Sequence, residues 1–249
     1  RLFSSDFFGN NNSMLKYKDK SFYETGLVFV DSTFFNVLSY HFVYGKNTRY
    51  ILAEPYSIVL SKPTAVKLFG NDDPIGKVIT IDNAYGKNDF KVNGVVDDRL
   101  GKTHIKANIF VTLRSGDFGR YLYNINQWAG NNFACSFIKL RPGTDPAALE
   151  KKLPGLLSKY GAQDLKLLGM TKTLHLQPVT TMHTTPGYEF EINSTISPTL
   201  LYILAGIAIM IQLIACINFM NLSTARASKR AKEVGVRKVV GAERSDLVK

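Results

Sequence analysis

The chain has little of what metal and nucleophile chemistry requires. It has two cysteines, Cys135 and Cys216, in 249 residues, too few for a four-cysteine zinc ribbon. Its four histidines, His41, His104, His175 and His183, are far apart in sequence, with no HExxH and no i, i+4 pair. No serine sits in a GxSxG elbow. The Gly/Asn stretches GNNN and GKND are turns, because no Lys-Ser/Thr pair opens a helix after them, so no ATP site is legible. The acidic pairs Asp72–Asp73 and Asp97–Asp98 fall in turn contexts, where such residues cap or face solvent. His175 alternates with Leu174 and Leu176 and is read as a strand-surface or satisfied core residue rather than a ligand. These absences disfavour a soluble enzyme and place no catalytic residue, metal or cofactor on this chain.

Charge is unevenly spread. The net charge is +11, and Ser223–Lys249 holds eight Lys/Arg against three Asp/Glu, about +5 of it. That tail has no aromatic residue to stack on a base, so nucleic acid is not an expected partner. The first residue is Arg1, not Met, and the last, Lys249, stands in mid-pattern, so the chain is read as a fragment of something longer.

What the sequence does have is one long apolar run. Leu200–Ile217 carries no charge, and Gln212 is its strongest polar group. A bilayer-spanning helix needs about 20 apolar residues to cross roughly 30 Å. A transmembrane helix over residues 198–222 is therefore expected, in contact with the lipid bilayer. Gln212, Asn218 and Asn221 are polar groups in or at the edge of the membrane, read as helix–helix hydrogen-bonding or interfacial positions in preference to the lining of a substrate path. The twenty residues before Thr199 contain no Lys or Arg, whereas the twenty after Leu222 contain six. Cytoplasmic flanks carry the positive residues. Residues 1–197 are thus expected outside the cytoplasm and residues 223–249 inside it.

The outer part reads as α+β. Strands are expected at Thr25–Val30, Ser57–Ser61, Lys77–Ile81, within 90–98, at 108–113, at Asn132–Leu140 with Phe133, Cys135 and Phe137 on one face, and at 173–179. Asp31 or Ser32 is expected to cap a helix carrying Phe34, Phe35 and Leu38, and Ser61 one ended by Gly70. Thr144 or Asp145 caps a third, which Pro154–Gly155 kinks or divides. Strand–helix–strand order recurs over 25–60 and 133–179, each unit needing a right-handed crossover if its strands are parallel neighbours.

Beyond residue 222, Arg226, Lys229, Arg230, Glu233 and Arg237 fall within about 100° on a helical wheel, opposite small residues. The membrane helix is expected to continue as one amphipathic rod, with Glu233 paired to Arg237. Gly235 and Gly241 bracket VRKVV, which suggests a bend or cap near Gly241. ERSDLVK looks like the start of another helix.

The stretch IACINFMNLSTARASKRAKEVGVRKVVGA resembles the second transmembrane helix and first cytoplasmic connection of MacB/FtsX-type ABC transporter permeases. Its signature of an acidic residue, Gly, a basic residue and Gly is matched by Glu233, Gly235, Arg237–Lys238 and Gly241. VLSKPTAVKLFGNDDPIGKVITI, FKVNGVV, FIKLRPGTDPAALEKKL and LQPVTTMH are similar to the MacB-like periplasmic core domain. The wording is also similar to permeases of Bacteroidetes-type Gram-negative bacteria. The resemblance implies an extracytoplasmic domain of βαβ porter-like units (1–197) with an inserted β-rich subdomain near 51–113. A transmembrane helix (198–222) and a cytoplasmic stalk and coupling segment (223–249) would follow.

It also implies a bacterial inner-membrane permease subunit that couples cytoplasmic ATP hydrolysis to periplasmic movement for export or efflux. ATP would bind a partner ABC ATPase, separate or fused, which Glu233, Gly235, Arg237, Lys238 and Gly241 would contact. A second permease subunit, making a homo- or heterodimer, and a periplasmic membrane-fusion protein are further implied partners. The first, third and fourth helices of a full permease are missing from the pattern, as a fragment would lack them. The alternative is an FtsX-like transmembrane signal transmitter that activates a cell-wall hydrolase.

Overall fold

A computed structural model describes residues 2–4, 12–46, 50–97, 104–130, 132, 134–188 and 191–241. The second acid of the Asp97–Asp98 pair, Phe133 of the 132–140 face, and the ERSDLVK helix start lie outside these residues. The chain divides into two compact units, one of residues 1–183 and 187–195, the other of 184–186 and 196–249.

The first unit is built on a mixed sheet. Among the described residues its strands are β1 (Leu2–Ser4), β2 (Ser13–Tyr17), β3 (Lys20–Glu24), β4 (Leu27–Val30), β5 (His41–Tyr44), β6 (Ser57–Ser61), β7 (Val78–Asn83), β8 (Gly86–Asp97) and β9 (Ile109–Thr112). The spatial order is β1-β4-β9-β6-β8-β7-β2-β3, with β5 also paired to β8. β4 runs parallel to β9, and β6 parallel to β8, while the other pairings are antiparallel. Residues 51–113 are β-rich, and their strands are hydrogen-bonded into the same sheet as β1 and β4.

The three central strands explain the continuous apolar runs LVFV, IVL and IFV. Successive side chains in a strand point to opposite faces. Leu27, Phe29, Ile58, Leu60, Ile109 and Val111 enter one core, and Val28, Val30, Val59 and Phe110 enter a second. A strand covered on both faces has no reason to alternate with polar residues. The first core is closed by α2 (Lys62–Phe69) through Ala65, Leu68 and Phe69, and by Leu122 of α3 (Gly116–Asn124). The second is closed by α1 (Phe34–Val37), whose Phe34 and Phe35 rings pack 5.6 and 5.2 Å from Phe110.

β4 and β6 are not neighbours, because β9 returns between them. The parallel pair that a helix bridges is instead β6 and β8, through α2 and β7. The expected unit over 133–179 forms its helices but not its strands. Asp145 caps α4 (Pro146–Glu150) by accepting from the N–H groups of Ala147 at 3.0 Å and Ala148 at 3.2 Å. The chain breaks before α5 (Leu153–Tyr160) and continues into α6 (Ala162–Leu167). Neither 134–140 nor 173–178 joins a ladder among the described residues. Leu2 and Cys135 alone exchange a pair of 2.9 Å backbone bonds. Phe137 and Leu174 are half-buried between exposed neighbours, and Leu176 and Gln177 are both half-buried. Alternation therefore reports which side packs, and a ladder needs a partner strand that alternation does not supply.

Two cap assignments are corrected. Thr33, not Asp31 or Ser32, holds the N-cap position of α1, and Asp31 Oδ1 accepts from the Thr33 N–H at 3.0 Å and hydroxyl at 2.7 Å. Ser61 sits at the N-cap of α2 but makes no cap bond. Its hydroxyl instead lies 3.0 Å from that of Thr64 and donates to Asn108 Oδ1 at 3.3 Å. Gly70, at φ 65°, ends α2 in a left-handed conformation that glycine adopts without strain.

The second unit is dominated by one helix, α7 (Pro198–Val239), of 42 residues.

Candidate functional site: a helix with an apolar half and a basic half

Pro198 pre-sets the first turn of α7, with Ser197 at the N-cap. No further proline interrupts it, and Gly206 and Gly235 are both carried inside the helix. At 1.5 Å per residue its length is roughly 63 Å, twice the thickness of a bilayer core. The apolar half carries no buried residue in its most hydrophobic window, where mean hydropathy is 2.6. Ile211 and Phe219 are 62% and 71% exposed. By length and composition this helix is able to cross a membrane.

The residues singled out in the sequence all lie along this one rod, except Gly241, which terminates it. Gln212 Nε2 donates to Cys216 Sγ at 3.7 Å, one turn on, so the amide has a weak local partner. Asn218 and Asn221 are exposed on the following turns. From Gln212 to Glu233 the rise is about 30 Å, so the polar positions of the apolar half and the charged ones beyond it are separate sites. Arg237 donates to Glu233 at 2.7 Å, the i, i+4 pair expected from spacing. Arg237 and Lys238 stand in the last turn, where cations are favoured by the helix dipole. The rod runs through Gly235 without a break. It closes at Val240, followed by Gly241 at φ 92°, so the bend-or-cap alternative resolves as a cap at Gly241.

In the first unit, sequence reasoning missed a buried carboxylate. Glu24, at the end of β3, is 7% exposed. It accepts from Lys67 at 2.8 Å, Asn108 at 3.1 Å and Thr64 at 3.4 Å, tying the β3 end to α2 and to the entry of β9. These partners are 40 to 84 residues away, and no local pattern announces them. Nearby, Gly26 at φ 72° lets the chain pass Lys106, whose carbonyl oxygen would lie 3.0 Å from an added Cβ.

The remaining acids and histidine have structural partners. Asp72 pairs with Lys77 at 3.1 Å, and that hydrogen bond holds its carboxyl below the usual range. Asp73 accepts from the Ile75 N–H, Asp97 pairs with Lys62 at 3.4 Å, and His175 Nδ1 lies 2.8 Å from Glu150. Among the described residues no group of three or more His, Cys, Asp and Glu is placed to hold a metal ion.

A mixed sheet with helices on both faces is followed by one exposed helix long and apolar enough to cross a membrane, and with the family match these mark a membrane protein with a periplasmic segment. The family model of the MacB-like periplasmic core domain matches residues 5–156, and the chain belongs to that family. It is 23% identical over 244 residues to the macrolide export ATP-binding/permease protein MacB of Mannheimia succiniciproducens, covering 96% of this chain and 34% of that one. It is 30% identical over 198 residues to the protein of the same description in Burkholderia lata, covering 76% of this chain and 24% of that one. The chain thus spans about a third of the length of the first of these relatives. Among solved structures, a domain assigned to a permease protein of Porphyromonas gingivalis superposes with a TM-score of 0.52 at 18% identity, over 71% of this chain and 73% of that one. That likeness concerns the fold.

Proposed function

We propose that the chain is the periplasmic core and following helix of an ABC transporter permease subunit acting in export or efflux. α7 crosses the inner membrane with its N-terminal end on the periplasmic side. Its basic half projects into the cytoplasm as a lever between an ABC ATPase, which hydrolyses ATP, and the periplasmic domain. A second permease subunit completes the assembly. The observation that carries this reading is the unbroken run of α7 from Pro198 to Val239, apolar at first and basic after residue 222. A stop-transfer anchor needs only the apolar half. A further helical stretch of roughly 25 Å, stiffened by the Glu233–Arg237 pair, transmits displacement where a flexible tail would absorb it. The relatives' names, which join ATP-binding to permease and to macrolide export, support the same class.

The test is charge reversal at the far end of the lever. Arg237→Glu with Lys238→Glu, in the full-length permease reconstituted with its ATPase, is expected to lower substrate-stimulated ATP hydrolysis at least tenfold. The denaturation midpoint of the sheet unit should not move. Normal coupling in that variant contradicts the lever role.

A further inference from the structure

The last stretch of the first unit before α7 is held down by an unusual group of side chains. The rings of His104, ahead of β9, and His183 lie 5.6 Å apart, edge to face at 65°. Nδ1 of His104 is buried with no hydrogen-bond partner among the described residues. Asn193 donates its side-chain N–H to the His104 carbonyl oxygen at 3.2 Å, bringing the 191–195 stretch onto the same loop. Glu191 closes the loop between them by accepting from the N–H groups of Gly187 at 3.1 Å and Tyr188 at 3.3 Å. His183 thus meets the His104 ring and Asn193 its backbone carbonyl, so two later pieces of chain converge on one residue.

We propose that His104 and His183 form a pH-sensitive clasp, which fastens His183 and residues 191–195 to the loop before β9 at neutral pH and releases them on acidification. Among the described residues, the charged and titratable groups acting on His104 are His183, Glu191 and Lys106. Burial, followed by repulsion from His183, holds its pKa below the usual imidazole range. Lys106 adds to that lowering, and Glu191 opposes it. Hydrogen bonding from Thr195 keeps the Glu191 carboxyl below its ordinary range, so Glu191 stays charged while His104 titrates.

An imidazole whose pKa is lowered in the closed arrangement binds a proton better when the arrangement is open. The clasp is at full strength above the free imidazole value of about 6.5 and weakens as pH falls through it. The loss is complete below the closed-state value. Repulsion between the two rings, which acts only when both carry charge, adds to the opening. The clasp does not depend on what the chain transports, since it concerns only how the pre-helix segment is held.

Hydrogen–deuterium exchange on the whole chain in lipid nanodiscs, corrected for intrinsic rates, tests it. Residues 187–188 and 191–195 are expected to exchange severalfold faster at pH 5.5 than at pH 7.5, while β6 and β9 do not change. His104→Gln should abolish that pH difference. Asn193→Ala should raise exchange at both pH values and leave their ratio intact, which separates fastening from titration. Equal protection of wild type at the two pH values overturns the clasp. So does a pH difference of undiminished size in His104→Gln. If that variant fails to fold, a His104 imidazole titrating at or above the free value in wild type, by NMR, overturns it equally.

Discussion

β6 and α7 are made of much the same residues and meet opposite surroundings. Ile58, Val59 and Leu60 are 0% exposed, whereas Ile203, Ile211 and Leu213 in α7 are each more than half exposed. The apolar run in β6 stops after three residues because flanking strands and two layers of helix exhaust the space. The run in α7 continues for some twenty because nothing in the chain limits it. Length, not hydrophobicity, separates a strand of a closed core from a helix that needs another solvent.

The sharpest way to break that comparison is the same substitution in each place. Ile58→Ala removes buried methylenes between close-packed strands and should cost the sheet unit about 2–5 kcal/mol. Ile211→Ala should shift its unfolding by less than about 0.5 kcal/mol. Urea unfolding followed by the fluorescence of Trp128, the single tryptophan and a member of the first unit, reads both. An equal effect of the two changes would mean that the helix belongs to the core.

Glu24 gives a smaller effect of a different kind. Glu24→Ala leaves Lys67 and Asn108 facing a buried gap and should cost about 1–3 kcal/mol in the same unfolding experiment. Glu24→Gln keeps one acceptor and should cost less. If the two variants are equally stable to urea, the carboxylate is not what joins β3 to α2.

These two regions were also unequally legible. α7 could be read almost whole, because its length, its charge asymmetry and the Glu233–Arg237 spacing are local properties of consecutive residues. The central strands were legible as strands, but their order was not. β9 lies between β4 and β6, and nothing in IFVT says so, since a strand buried on both faces carries no register in its pattern. Residues 173–178 show the converse, with alternation present and no ladder formed. The Glu24 network and the His104–His183 contact join residues 40 or more apart, so composition and spacing are silent about both.

At the basic end of α7 the expected effect is smallest. Glu233→Ala removes one exposed i, i+4 pair and should lower helix stability by about 0.3–0.5 kcal/mol, visible as faster amide exchange in the last turn and screened by salt. A larger loss, insensitive to salt, would mean that Glu233 holds something other than Arg237.

Membrane sidedness tests the central claim most directly. With Cys135 and Cys216 replaced by Ser, single cysteines are introduced as Thr144→Cys in the sheet unit and Ser228→Cys in the basic half of α7. Intact cells with a permeabilised outer membrane are then treated with a thiol reagent that does not cross the inner membrane. The account predicts labelling of Thr144→Cys at once, and of Ser228→Cys only after the inner membrane is opened. Labelling of both positions in intact cells would contradict it.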